Sequence, residues 1–494
     1  MMQSTEGRTV TINRVYLMRS ALFALLLLWP LLVFGRPAYM DDSASYQNGG
    51  EQAVGFVLRK LHFAEPQARI VPHAAKGKMT RHDTGAKKEE GGQSTKVARS
   101  IIYSALAYIF SGPGMTMMHL AVFHAATVAL ALVALFEGIA GPGWRPFAGM
   151  AALTAFASPI APIVTFMMPD CYAPVMIGAM AILPFYWARF SGAIRVMILA
   201  LAALGVAAHI SHPPIALGLA LAVSPFLILL RRKMPVSPYF ALAILWTPVV
   251  MGIGLVALSG LVGFGKASIA PKHYPLALAR AIDNGPARWY LVEACKDRAR
   301  YAICEVYGTA IPYTVQETLW SKRSLIVLAT PEQLDRVRSE ENRILIETTK
   351  RYPLQQLYLV VHDVPDQFIA FKLNYFRYNA EIVRGSGGDI ILHSPGETPQ
   401  PTLYIWLEAL NNLAVAAGVL ALALSWRRMN AAQRGAILIM LIGLLANAAV
   451  CAIFSGVASR YQARIVWLVP WFMLAIGFAH CTTEQMTARK KGHQ

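Results

Sequence analysis

Two adjacent carboxylates, Asp41 and Asp42, follow an apolar run at the start of the chain, within a stretch that reads Tyr39, Met40, Asp41, Asp42, Ser43, Ala44, Ser45, Tyr46. Carboxylates placed side by side at the mouth of a membrane bundle repel each other and are costly to desolvate, so they call for a metal, another cation or a substrate hydroxyl. The plainer role is at a helix N-terminus, because Asp and Ser cap well and an amphipathic stretch follows. Asp170, in TFMMPDCYAP, is the only acidic residue between Glu137 and Asp283. It either caps the next helix or joins the first pair as a third acidic group.

His209 and His212, in AHISHPP, are candidate ligands or structural interface histidines. Arg460, Tyr461 and Arg464, in SRYQAR, suit bidentate recognition of a phosphate, with membrane anchoring of long basic and aromatic side chains as the alternative. Cys295 and Cys304 lie in the one large polar segment. Outside the cytoplasm that spacing predicts a local disulfide. Cys171, Cys451 and Cys481 lie in or beside apolar runs and read as small hydrophobes.

The elements that position these residues are membrane spans. The 494 residues are 56% hydrophobic and 15% charged, which leaves too little polar surface to cover a water-soluble body of that size. Mean hydropathy is +0.44. The formal charge of +18 is spread over short segments between apolar runs, so membrane topology explains it and nucleic acid is not indicated as a partner. The chain is expected to be an all-α polytopic membrane protein with about ten spans, near 16–35, 115–138, 146–168, 171–188, 194–209, 213–230, 239–260, 404–425, 435–455 and 465–482. The first run also has the basic start and apolar core of a signal peptide; its length favours a retained span.

Arg145, then Arg189 and Arg195, then Arg231, Arg232 and Lys233, then Arg427, Arg428 and Arg434, then Arg489, Lys490 and Lys491 follow every second span, so all of them lie on one side. The positive-inside rule places them, and both termini, in the cytoplasm of a bacterial inner-membrane protein. The opposite face receives 36–114, the turns at 166–171, 208–214 and 456–464, and the long segment 261–403. Three parts result: a core over 1–260, a cap over 261–403 and a final three-span part over 404–494. In the first outer loop, Val54, Val57, Leu58 and Leu61, and then Ile101, Ala105 and Ile109, recur at helical spacing and predict two interfacial helices. The charged stretch between them, 74–97, has the composition of a segment with no packed core. The cap mixes Leu334, Val337, Ile344 and the run YPLQQLYLVV with charge, and should be mostly helical. No internal repeat of the kind that builds transporters is visible.

The acidic start of the first outer loop, the interfacial helices around it, an acidic residue between spans three and four, a large loop after span seven and basic residues in the last outer turn resemble the GT-C class of integral membrane glycosyltransferases. Within it, the aminoarabinose transferases of lipid A and the protein O-mannosyltransferases are most similar. The likeness in residues is confined to DDSASY, Asp170 and SRYQAR; the stretch 74–97 has no counterpart, and ten spans are fewer than the aminoarabinose transferases have. The resemblance implies inverting transfer of a sugar from a polyprenyl-phosphate donor to a lipid, glycan or protein acceptor on the periplasmic face, among membrane lipids. It implies that Asp41 or Asp42 is the general base, that Arg460 and Arg464 neutralise the departing phosphate, and that Tyr46, Asp170, His209, His212 and Tyr461 contact substrate. Asp42 and Asp170 would also suit Mg²⁺ or Mn²⁺, which prefer oxygen ligands. The other classes are a lipid or solute transporter or flippase, an O-antigen polymerase or ligase, and an assembly factor without catalysis.

Overall fold

The computed structural model describes residues 9–63, 99–112, 114, 116–229, 237–268, 272–385, 390–394, 396 and 400–491. The stretch 74–97 and the basic residues Arg231, Arg232 and Lys233 lie outside them. The chain is a multi-pass helical protein, and among the described residues eight segments are long and apolar enough to cross a membrane: Arg14–Phe34, Met118–Ala140, Pro169–Arg189, His212–Leu229, Pro238–Phe264, Thr402–Arg428, Ala431–Phe454 and Ser459–Cys481.

In chain order, α1 (Arg14–Leu27) and α2 (Trp29–Phe34) form the first span and are followed by α3 (Asp41–Lys60) and α4 (Ile101–Ile109), the two helices expected in the first loop. Then come α5 (Met118–Ala140), α6 (Trp144–Phe156), α7 (Ile160–Val164), α8 (Tyr172–Tyr186), α9 (Gly192–Ala208), α10 (His212–Leu229) and α11 (Pro238–Phe264). Two of the ten expected spans therefore fall short. The run 146–168 is divided into α6 and α7, because Pro159 and Pro162 remove backbone donors and Ser158 caps Ile160 N–H instead. The run 194–209 is the 17-residue helix α9.

The segment 261–403 carries α12 (Leu276–Asp283), α13 (Pro286–Ala294), α14 (Ala302–Tyr307), α15 (Val315–Leu319), α16 (Leu325–Leu328), α17 (Pro331–Arg351) and α18 (Pro353–Ile369). An antiparallel hairpin follows, β1 (Glu381–Arg384) with β2 (Ile390–His393), in which Glu381 faces His393 and Arg384 faces Ile390. Leu278, Ile282, Leu291, Ile303, Leu334, Val337 and Ile344 bury one another in a core separate from that of the spans, so most of this segment folds as a cap on its own apolar interior. Cys295 and Cys304 are bonded within it. The chain ends with α19 (Thr402–Ser425), α20 (Ala431–Phe454), α21 (Ser459–Val466) and α22 (Leu468–Lys491).

The two ends of the bundle differ. At one, Val10 pairs with Phe190 and Arg19 meets Glu137 at 3.2 Å, both side chains buried. At the other, Ala38 pairs with Phe166 and Tyr39 with Arg377, and the cap lies there. The first span is built into the core: the Tyr16 hydroxyl donates to Leu130 O at 2.7 Å and the Trp29 indole to Ala155 O at 2.8 Å.

Candidate functional site

At the capped end, Met40 is the extended N-cap of α3, and Asp41 and Asp42 occupy its first turn, where the helix dipole favours carboxylates. Ser43 Oγ accepts from Met40 N–H at 3.1 Å and donates to Met167 O at 3.0 Å, which ties this turn to the chain just before Asp170. Because successive helical residues point about 100° apart, the acidic pair divides. Asp41 faces out, half exposed, to Arg377 at 3.1 Å. Asp42 faces in to Arg99, whose guanidinium also lies 4.7 Å over the Tyr274 ring.

Tyr46, one turn beyond Asp42, is buried edge-on against Tyr103 with centroids 4.8 Å apart. The site allows this because α3 and α4 pack closely. A Cβ on Gly50 would lie 2.1 Å from the Ser104 carbonyl oxygen, so only glycine fits there. Burial, and then the fields of Asp42 and Asp170 against those of Arg99 and Arg460, push the Tyr46 phenol well above its ordinary value.

Asp170 lies in the 3₁₀ turn Pro169–Cys171 that leads into α8, yet it caps nothing. Its Oδ1 accepts from Arg464 at 3.0 Å in a pair that solvent does not reach. Arg464 also donates to Asn447 Oδ1 at 2.7 Å, and Asn447 in turn donates to Tyr461 O and Gln462 Oε1. Asp170 Oδ2 is buried and, among the described residues, accepts no hydrogen bond. Tyr375 places a second buried oxygen, also without a partner among the described residues, in the same field, since its hydroxyl feels Asp170, Arg460 and Arg464.

Arg460 is 8% exposed, and no carboxylate of the described residues lies within 4.0 Å of it. Among the described residues it contacts Met40 Sδ, the Tyr461 hydroxyl at 3.4 Å and the Tyr461 ring at 5.0 Å. Three guanidiniums, Arg99, Arg460 and Arg464, thus face two carboxylates, Asp42 and Asp170.

The histidines form the next layer. His212 Nδ1 hydrogen-bonds Gly205 O at 2.6 Å, which fixes the proton there and leaves Nε2 an acceptor with no partner among the described residues. His209 Nδ1 meets Ser211 Oγ at 2.8 Å, and the two imidazoles are 5.2 Å apart. Burial, then His212, Arg464, Arg460 and Arg99, hold His209 well below its ordinary value, so it stays neutral.

Among the described residues no three of His, Cys, Asp and Glu converge as a metal-ligand set. Asp42 and Asp170, the expected pair, are each engaged by arginine, and the surplus positive charge beside them favours an anion over a divalent cation. Of the expected residues, the structure gathers Asp42, Tyr46, Asp170, His209, His212, Arg460, Tyr461 and Arg464 into one neighbourhood; Asp41 turns away from it. Arg99, Tyr274, Tyr375 and Asn447 belong to it as well, and nothing in their local sequence marks them.

Comparison with family models, with curated proteins and with solved structures finds no match to this chain.

Proposed function

We propose that the chain is a membrane glycosyltransferase that moves a sugar from a polyprenyl-phosphate donor to a lipid, glycan or protein acceptor, with the capped end of the bundle facing the periplasm of a bacterial inner membrane. The observation that carries this reading is Arg460: a buried guanidinium without a carboxylate partner among the described residues, in electrostatic reach of Asp42 and Asp170, is a receptor for an anion. A span-embedded protein offers that receptor at the depth where a lipid phosphate travels. The GT-C resemblance of DDSASY and SRYQAR agrees with it.

In this reading an acceptor hydroxyl lies against Asp42, which Arg99 holds in place. Its oxygen attacks the anomeric carbon while Asp42 takes its proton, and the bond from that carbon to the phosphate oxygen breaks with inversion. The lipid phosphate leaves with the bonding electrons, and the charge that grows on it is met by Arg460. Arg464, committed to Asp170 and Asn447, positions α21 and does not touch the donor. Asp170 Oδ2 and the Tyr375 hydroxyl, which have no partner among the described residues, would bind sugar hydroxyls.

The test uses the purified chain in proteoliposomes with radiolabelled polyprenyl-phosphate hexoses and pentoses and a lipid extract as acceptor. Transfer of label, falling about a hundredfold or more in Asp42→Asn, supports the reading. Movement of the labelled donor across the bilayer with no transfer makes the chain a flippase instead.

A further inference from the structure

The YPLQQLYLVV run of the cap forms α18, and its surface is divided in three. Gln356, Asp363 and Gln367 point inward, and α18 packs along α20, a spanning helix. Arg280 pairs with Asp363 at 2.9 Å, and Gln367 bonds the Ala458 backbone just beyond the end of α20. Gln355, His362 and Asp366 occupy one flank, about 80–120° round the helix from Leu354 at 3.6 residues per turn. Opposite the packed side, Leu354, Leu357, Tyr358 and Val361 recur at i, i+3, i+4 and i+7, and they are 59 to 74% exposed.

We infer that this apolar row is a lipid-docking surface, seated in the membrane leaflet at the capped end of the bundle. Three observations choose lipid as the occupant. The row stands on a helix that packs along α20, a spanning helix that itself exposes Leu445, Ile453 and Phe454, so the row lies beside a segment apolar enough to be bathed in lipid. The polar flank beside the row is what a helix needs where it meets headgroups and water. Arg351, the last residue of α17 just before the row, and Lys372, just past the end of α18, add the basic charge that anionic lipid attracts. The cap is then held to the membrane by its own helix as well as by its two chain connections. The inference does not depend on sugar transfer.

Site-directed spin labelling tests it on the full chain in proteoliposomes of phosphatidylethanolamine and phosphatidylglycerol. Cys481→Ser removes the exposed thiol; Cys171 and Cys451 are buried. Nitroxides are placed singly through Leu354→Cys, Leu357→Cys, Tyr358→Cys and Val361→Cys, with Gln355→Cys and Asp366→Cys as the polar flank. The expected result is access of oxygen with loss of access of a water-soluble nickel chelate along the apolar row, and the reverse at Gln355 and Asp366. Nickel access at all six positions would show a row facing water and overturn the inference. Exclusion of both reagents from the row would show it covered by protein, such as a second copy, and overturn it equally.

Discussion

Asp170 and Arg464 are 294 residues apart in the chain and 3.0 Å apart in the fold, with side chains 1% and 0% exposed. A charge pair so far from water is costly to form and costlier to break, because either member alone becomes an uncompensated buried charge. Asp170→Ala and Arg464→Ala should each lower stability by about 3–5 kcal/mol, whereas the double replacement Asp170→Leu with Arg464→Met should recover most of that loss. Denaturant unfolding in detergent micelles measures all three. A double variant as unstable as either single one would mean that packing, not charge, sets the value of the pair.

The clasp between Gln367 and Ala458 links the cap to the start of α21. Its amide nitrogen donates to Ala458 O at 3.0 Å and its oxygen accepts from Ala458 N–H at 2.8 Å, two residues before Arg460. Gln367→Ala leaves both Ala458 backbone groups without this partner in a partly buried place, at a cost of about 1–3 kcal/mol. Amide hydrogen exchange across 456–461 should rise in this variant while α5 keeps its protection. Unchanged exchange there would mean that α21 is held by Asn447 and Arg464 alone.

His209 gives the fold an acid limit. Its pKa lies below the ordinary value through burial first, then His212, Arg464, Arg460 and Arg99, so the unfolded chain binds a proton more readily than the folded one. Stability from this residue is complete above the unfolded value of about 6.5 and falls as pH drops below it. The melting temperature of the wild type should therefore fall more between about pH 7.5 and pH 5 than that of His209→Gln, as scanning calorimetry or intrinsic fluorescence would show. Parallel curves would remove His209 from the acid response.

The spans were legible because long apolar runs have few other uses, and the cysteine spacing in the cap was legible because it is local. The division of 146–168 was not, since proline in a span is often tolerated as a kink; here Pro159 and Pro162 stand close enough to end one helix and begin another. The site was half legible. DDSASY and SRYQAR announce charge where charge is expensive, but they name no partners. Arg99 meets Asp42 across 57 residues, and Tyr375 reaches the cluster from the cap. Those encounters follow from tertiary packing alone, and no periodicity encodes them. The division of Asp41 from Asp42 was not legible either: α3 begins at Asp41, and consecutive helical side chains point about 100° apart, so Asp41 meets Arg377 and Asp42 meets Arg99.

Arg460 is the residue on which the functional reading stands, and its neighbours define how to test it. Arg99 and Arg464 each hold a carboxylate, so replacing either breaks an ion pair; among the described residues, replacing Arg460 removes contacts to Met40 and Tyr461 and a longer-range field on Asp42 and Asp170, but breaks no ion pair. If its task is to meet a lipid phosphate, Arg460→Ala should raise KM for the polyprenyl-phosphate sugar about tenfold or more, the loss of one charge-assisted hydrogen bond, with little change in melting temperature. Arg460→Lys keeps the point charge and gives up only the fork, so its KM should fall between the two. Transfer assays over a range of donor concentrations distinguish this from anchoring. An anchoring arginine snorkels, and a lysine serves that role as well, so equal and undiminished donor use in both variants would return Arg460 to the membrane surface.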